Sequence, residues 1–468
     1  MAVNDADPAW GSYAEARQKV AELAAGRETA LDRIRPLPGH DKDTAKKFRD
    51  GAYFLPVVAR TQEAFGGLVF SKTPTRAGLE ALSGYLKDIT GSGQDVDRFA
   101  EQGFDGILET GAVMVLVDYP DAPEGATVAD AEANGVRPTL KLYTAANILS
   151  ARFRKIGAAR KLAHVRVLEQ VEEEDGADEF KLTTVKQVRV LDLDQAGLYR
   201  QRVFRNSAGA WAQFGDTVEP KRQSKRLDVL PTFFSNSRDG EPVPAKPPLE
   251  DIADISIAHL NNSAALEWAL LWTANPTPVF KGLNIAEGDT VKLGSSEGLI
   301  VTEGGDAKFM EFTGAALSEL RLALEAKRKD AALMGARMLL ESGRAAIAAE
   351  TARIERAGET SVVSGIANAF SDCLTKALTF MADWAGVSST GIQYWLNTDL
   401  NPAGLSAQEL TALLSAWQSG AITLEDLFQN LQRAEIVDPA KSFDDHKEQL
   451  AEEGEALGAI EEPADEAA

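Results

Sequence analysis

The sequence predicts an α+β fold, and three observations carry the prediction. Apolar residues recur at helical spacing through long stretches, above all "PPLEDIADISIAHLNNSAALEWALLWTANP" (Pro247–Pro276) and "LSELRLALEAKRKDAALMGARMLL" (Leu317–Leu340). Between Ala163 and Asp216 the pattern changes to β-rich runs separated by the polar turns "EDGAD" and "NSAG", as in an antiparallel sheet. "AVMVLVDYP" (Ala112–Pro120) is an unbroken apolar run stopped by proline, the pattern of a strand buried on both faces.

The elements follow in order. Residues 1–44 hold one helical stretch, "YAEARQKVAELAAGRETALDRI", broken at Pro36, Pro38 and Gly39, and read as a mobile arm or surface helix. Lys46–Phe70 reads as a helix interrupted at Pro56 and ended by Gly66 and Gly67. "GLEALSGYLKDI" and "DVDRFAEQGFDGILETG" predict two more helices before the buried strand. With the sheet at about 163–216, the chain to about residue 240 forms a mixed domain, and "PTFFSNSRDGEPVPAKPP" is a proline-rich connector to the first long helix.

Pro278–Phe312 carries short β runs divided by glycines, an insertion too small to bury a core alone. In the second long helix Leu317, Leu320, Leu324, Ala331 and Met334 fall near one stripe, with Glu325 four residues before Lys329 on the other side. "ESGRAAIAAE" breaks the pattern before a third helix, in which Ile366, Phe370, Cys373, Ala377 and Met381 recur at helical spacing. Two short helices follow, the first capped by Ser406 with Glu409 and ended by Gly420, the second started by Thr423 with Asp426. From Asp444 the composition is too acidic and apolar-poor to order itself, so a disordered tail is expected over 444–468.

Composition narrows the function. The chain has 468 residues, enough for two to four cores, and its 44% hydrophobic and 26% charged content is that of a soluble globular protein. No run of about 18 apolar residues is present, so no membrane partner is expected. The early acidic residues, with no apolar segment before a small-residue cleavage site, point to synthesis in the cytoplasm. Cys373 is the single cysteine and reads as a core residue. A net charge of −22 argues against a protein built to grip nucleic acid, though not against one past which DNA slides.

Catalytic signatures are weak. His40, His164, His259 and His446 lie far apart without ligand spacing. Asp118 with Asp121, and Asp192 with Asp194, are the carboxylate pairs near strand ends; they suit Mg²⁺ in phosphoryl or nucleotidyl transfer, but turn formation is the commoner use. There is no P-loop, dinucleotide fingerprint or nucleophile elbow. The densest basic clusters, Lys327–Asp330 and Pro220–Arg226, read as solvated faces before phosphate clamps. No catalytic residue, metal or cofactor is assigned.

The order of elements resembles that of the portal (head-to-tail connector) proteins of tailed bacteriophages, in particular one portal family known mainly by a domain of unknown function. The likeness rests on "ARTQEAFGGLVFSKTP", "ILETGAVMVLVDYP", the Pro247–Leu283 stretch, "ETARIERAGETSVVSGIANAF" and the C-terminal helix pair. It implies a portal fold with a mixed wing at 45–246, a stem of two helices at 247–277 and 315–340, and a small β-rich clip at 278–314. A tunnel loop at 341–349, a wing or tunnel helix at 350–400 and crown helices at 401–443 complete it.

It also implies a homo-oligomeric ring, dodecameric in the virion, at one capsid vertex. Double-stranded DNA passes through without sequence specificity, and the terminase large subunit, the head-completion or adaptor proteins and the major capsid protein are partners. Candidate positions are Glu341, Ser342, Gly343 and Arg344 in the tunnel loop, and Asn261, Asn262, Lys327 and Arg328 on the tunnel side of the stem. Lys281, Asp289, Lys292, Glu303 and Lys308 are candidates for docking at the clip. The alternatives are an acidic Mg²⁺-dependent nuclease or transferase using Asp118, Asp121, Asp192 and Asp194, and another virion ring or adaptor component.

Overall fold

The computed structural model describes residues 2–119, 136–175, 178–207, 209–222, 225–274, 277–281, 305–310, 314, 316–336, 349–400, 407–434, 436–438 and 441–453. They fall into two units, Met1–Thr398 and Asp399–Ala468. The class is mixed α+β, as the sequence predicts.

The expected N-terminal arm is instead part of the core. In α1 (Ala14–Ala24) Val20 and Leu23 are fully buried, and Trp10, Leu31 and Ile34 join them. Arg17 is buried as well, donating from Nε to the Thr110 carbonyl and from Nη1 to the Trp10 carbonyl. Burying several large apolar side chains, at about 1.5–3 kcal/mol each, favours docking over a free arm. The predicted helix over 46–70 is two helices, α2 (Lys42–Asp50) and α3 (Val57–Val69), separated around Pro56. α3 runs on through Gly66 and Gly67, because tertiary packing outweighs their weak helix propensity of about 1 kcal/mol each. The helix expected over 78–89 is two short turns, Glu80–Leu82 and Ser83–Leu86.

α4 (Val96–Thr110) starts where Asp95 accepts from the backbone N–H groups of Asp97 and Arg98. It buries Val96, Phe99, Ala100, Phe104, Ile107 and Leu108, one helical face. It ends at Gly111 with φ of 83°, where a Cβ would lie 2.2 Å from the Ala245 carbonyl oxygen, so glycine alone fits.

α1, α3 and α4 border a cavity of about 610 Å³ lined by Ala21, Gly66, Glu101, Asp105 and Glu109. Burial, with Glu109 and Glu101 nearby, pushes the Asp105 carboxyl up to about 6. A folded pKa above the unfolded value means that stability is lost as pH rises from about 4 through 6. Asp105→Asn is therefore expected to stabilise the protein by about 1–2 kcal/mol at pH 7.5, allowing for residual solvent access. The gain should vanish at pH 4, as checked by denaturation midpoints at both pH values.

β1 (Ala112–Asp118) is buried from Ala112 to Val117, as its apolar run predicts. It is the centre of a three-stranded antiparallel sheet, between β2 (Thr139–Thr144) and a later strand, Thr232–Asn236. A five-stranded antiparallel meander follows: β3 (Ile148–Ile156), β4 (Ala159–Asp175), β5 (Asp178–Leu193), β6 (Tyr199–Ser207) and β7 (Ala210–Val218). It is longer than the expected 163–216, since β3, "ILSARFRKI", carries cations that mask its strand pattern. Two two-residue strands, Lys221–Arg222 and Lys225–Arg226, pair before β8 (Thr232–Asn236) closes the first sheet.

α5 (Glu250–Ala274) leads into β9 (Thr277–Lys281), which pairs antiparallel with β10 (Asp306–Met310); α6 (Leu317–Ala331) follows and passes into a π-helical turn, Ala332–Ala336. α7 (Ala349–Ala385) packs on α4 and on the β1 sheet. Its expected stripe, Ile366, Phe370, Cys373, Ala377 and Met381, is buried. Burial pushes the Cys373 thiol up to about 12, an unreactive core position.

In the second unit, α8 (Ala407–Gln418) ends before Gly420 with φ of 73°, and α9 (Leu424–Arg433) opens with the Thr423–Asp426 capping box. Ser406 lies outside the described residues. Part of the expected disordered tail is helical: α10 (Phe443–Glu453) docks Phe443 and His446 against the Phe428 ring, at centroid distances of 5.4 and 4.8 Å. These two rings supply the contacts that composition alone conceals, and residues 454–468 lie outside the described set.

Candidate functional site: the paired helices and their apolar flank

α5 is anchored at one end and free of the body at the other. Its first four turns bury Ile252, Ala253, Ser256, His259, Leu260, Ser263 and Ala264, a helical stripe. Polar pins hold this half: Lys19 Nζ lies 2.5 Å from Asp254 and 3.4 Å from Glu250, and the Ser263 hydroxyl accepts from the Tyr53 N–H at 2.8 Å. Aromatic rings continue along the helix, with Trp268 5.4 Å from His40, 5.9 Å from Phe48 and 6.1 Å from Trp272. Beyond Leu266 burial fades, and the last turn is exposed.

α6 runs antiparallel beside α5. The position of a Cβ on Gly314 is 3.8 Å from the Thr273 methyl, while His259, Leu266 and Glu267 share a cavity of about 330 Å³ with Leu324, Glu325 and Arg328. Burial, with Lys327 and Arg328 nearby, holds the His259 pKa below the ordinary histidine value. On α6, Leu320, Leu324 and Lys327 are half-buried and Ala331 is buried. Met334, expected on this stripe, is 51% exposed, because the π turn breaks the 3.6-residue repeat. With Leu271, Trp272, Leu322 and Leu333, each at least half exposed, it leaves large apolar side chains on this helix pair open to water.

Sequence-predicted positions fare unequally. Asn261 is bonded within the chain: its Oδ1 accepts from the Arg35 N–H at 2.9 Å and its Nδ2 donates to the Ile257 carbonyl at 2.8 Å. A polar residue midway along a largely apolar helix is here used as a pin within the chain. Asn262 and Lys327 are half-buried and Arg328 is exposed. Lys281 and Lys308 are exposed on the β9–β10 pair, opposite Asp306 and Val279 respectively. Asp289, Lys292, Glu303, Glu341, Ser342, Gly343 and Arg344 lie outside the described residues.

Residues 248–385 match the model of a family described as a domain of unknown function, DUF4055. The match begins two residues before α5 and ends with the last residue of α7. No protein with a curated description matches the chain. Among solved structures, a chain from the neck of an empty gene transfer agent (GTA) particle, computed with C6 symmetry, is similar at 15% identity and a TM-score of 0.41, covering 87% of this chain and 95% of that one. A chain from the virion of a native gene transfer agent particle matches at 15% identity and a TM-score of 0.38, over 86% of this chain and 94% of that one. A third, from the neck of a native GTA particle computed with C12 symmetry, matches at 14% identity and a TM-score of 0.37, over 87% and 98%.

The carboxylates of the enzymatic alternative are tied to cations. Asp118 lies 2.7 Å from Lys141 Nζ and accepts from Gln201 at 3.1 Å; Asp192 lies 2.8 Å from Arg200 and 3.2 Å from Arg202. Asp194 behaves as a turn residue, accepting from the Leu198 N–H at 3.0 Å and pairing with Arg226 at 2.9 Å. Asp121 lies outside the described residues. Among the described residues no three His, Cys, Asp or Glu side chains converge as a metal site.

Around Asp118 the structure instead builds a buried ionic cluster that sequence patterning missed. Arg189 Nε donates to Glu169 at 2.8 Å and its guanidinium lies 3.8 Å from Asp118, while the Tyr143 hydroxyl and Gln187 amide also donate to Glu169. The signal present in the sequence was charged residues within the strands, Glu169 in β4 and Arg189 in β5 among them.

Proposed function

We propose that this chain is a portal subunit, forming a ring that serves as DNA channel and docking platform at a capsid vertex and performing no catalysis. The observation that carries the reading is the antiparallel α5–α6 pair. It leaves the body with a small β pair at its joined end and keeps Leu271, Trp272, Leu322 and Leu333 in water. Covering the exposed half of such side chains contributes about 1 kcal/mol each, and a neighbouring copy is the surface that covers them in a ring. The charge of −22 per chain, repeated around the ring, gives a wall that repels phosphate within a Debye length of about 8 Å, so DNA slides. The β9–β10 end is the docking point for the terminase and then for head-completion proteins.

The test is the size and shape of the purified chain. Mass photometry and negative-stain microscopy should find rings with an axial hole. Trp272→Asp with Leu322→Asp should yield folded monomers, shown by an unchanged circular dichroism spectrum. A wild-type chain that stays single at high concentration overturns the reading.

A further inference from the structure

The five-stranded sheet is electrically polar along its strands. At one end the β3–β4 turn places Arg154 opposite Lys161 and Lys155 opposite Arg160. Beside it, the two-residue strands place Lys221 opposite Arg226 and Arg222 opposite Lys225. The hairpins adjoin through two aspartates. Asp194 pairs with Arg226 at 2.9 Å while its carbonyl accepts from Arg154 at 2.6 Å, and Asp228 pairs with Lys161 at 3.0 Å. Like charges directly across a ladder are destabilising, so two such pairs in each of two hairpins are a cost to this fold. Local rules are broken at this kind of cost where another role requires it.

Four of these cations lack an acidic partner among the described residues: Lys155, Arg160, Lys221 and Lys225, all exposed. The opposite end of the same sheet is acidic. Glu172, Glu173 and Glu174 are exposed near the end of β4, with Glu173 paired to Arg205 at 2.7 Å. Seventeen residues of β4 separate the two ends by about 50 Å. That exceeds the Debye length several-fold, so the ends of one sheet do not neutralise each other. They complement each other only between molecules.

We propose that the basic hairpin end of this sheet docks on the acidic end of β4, at Glu172 and Glu174, of a second copy, a head-to-tail contact repeated around the ring. The proposal rests on the ring reading above and adds its polar registration. A contact between unlike patches is heterologous, the class that closes into rings when the rotation permits. Charge complementarity of this kind sets register and encounter rate. The phosphate backbone of nucleic acid is the competing occupant of the basic end. The net charge of −22 disfavours it, since a duplex approaching this end is repelled by the rest of the molecule.

Charge reversal in the full-length chain tests the proposal. Lys155→Glu with Arg160→Glu reverses two charges at the basic end, and Glu172→Lys with Glu174→Lys reverses two at the acidic end; all four sites are exposed, and thermal melts check that each variant folds. Each variant alone should need at least about tenfold more protein to assemble by mass photometry, the equivalent of two lost charge pairs. An equal mixture of the two, and the chain carrying all four changes, should assemble as wild type does. Wild-type assembly should also weaken between 50 and 500 mM NaCl.

If the wild type forms rings and the reversals do so equally well, the docking proposal fails while the ring reading stands. If the wild type never assembles, both fail. If Lys155→Glu with Arg160→Glu leaves rings intact but removes binding of a 30-base-pair duplex in fluorescence anisotropy, the basic end is a phosphate contact and the proposal is overturned.

Discussion

Replacing Arg189 with alanine is expected to lower the unfolding free energy at pH 7 by about 3–5 kcal/mol, the usual cost of removing one partner from a buried ion pair. Arg189 holds Glu169 and Asp118 between β1, β4 and β5. Burial works to raise the pKa of both carboxyls, but the neighbouring cations outweigh it and hold them below the ordinary range. The sign follows from linkage. Folded pKa values below the unfolded ones give stability that is present at neutral pH and lost as pH falls through the carboxylate range. Without Arg189 burial dominates at Glu169, and the penalty is relieved by protonation. The gap between wild type and variant should therefore shrink from pH 7 to pH 4.5, measured by urea denaturation at both values. A second change, Glu169→Gln, should recover part of the loss, because the uncompensated charge is then gone. A loss under 1 kcal/mol at pH 7 would mean that the cluster is solvated.

Gly103→Ala should destabilise by about 3 kcal/mol, against the direction helix propensity predicts. A mid-helix glycine replaced by alanine ordinarily gains roughly 0.5–1 kcal/mol. Here a Cβ on Gly103 would lie 2.0 Å from Cζ of Phe370, a fully buried ring on α7. One of the two helices must move apart or the ring must leave its rotamer. Phe370→Leu removes the far edge of the ring, so the double variant should lose less than the two single losses added together. Guanidinium denaturation of the four proteins gives the coupling energy. A neutral or stabilising Gly103→Ala would rule out the close α4–α7 contact.

Sequence pattern by itself determined the elements whose signal is local. The apolar run of β1, the stripe on α7 and the Thr423–Asp426 cap each depend on residues within a few positions of one another, and each is found where the pattern puts it. Composition likewise set the charge of −22 and the single buried cysteine. The tertiary structure decided what depends on distant partners. Trp10 and Val20 made a core element of a presumed arm, and Phe428 ordered the start of an acidic tail. Asn261 became a pin to the Arg35 backbone, and Arg189 came to lie beside Asp118, which spacing had offered as a metal ligand. Spacing along a chain tells which side chains share a face. What that face meets is set by contacts beyond that local spacing, whose burial and charge terms outweigh local propensity.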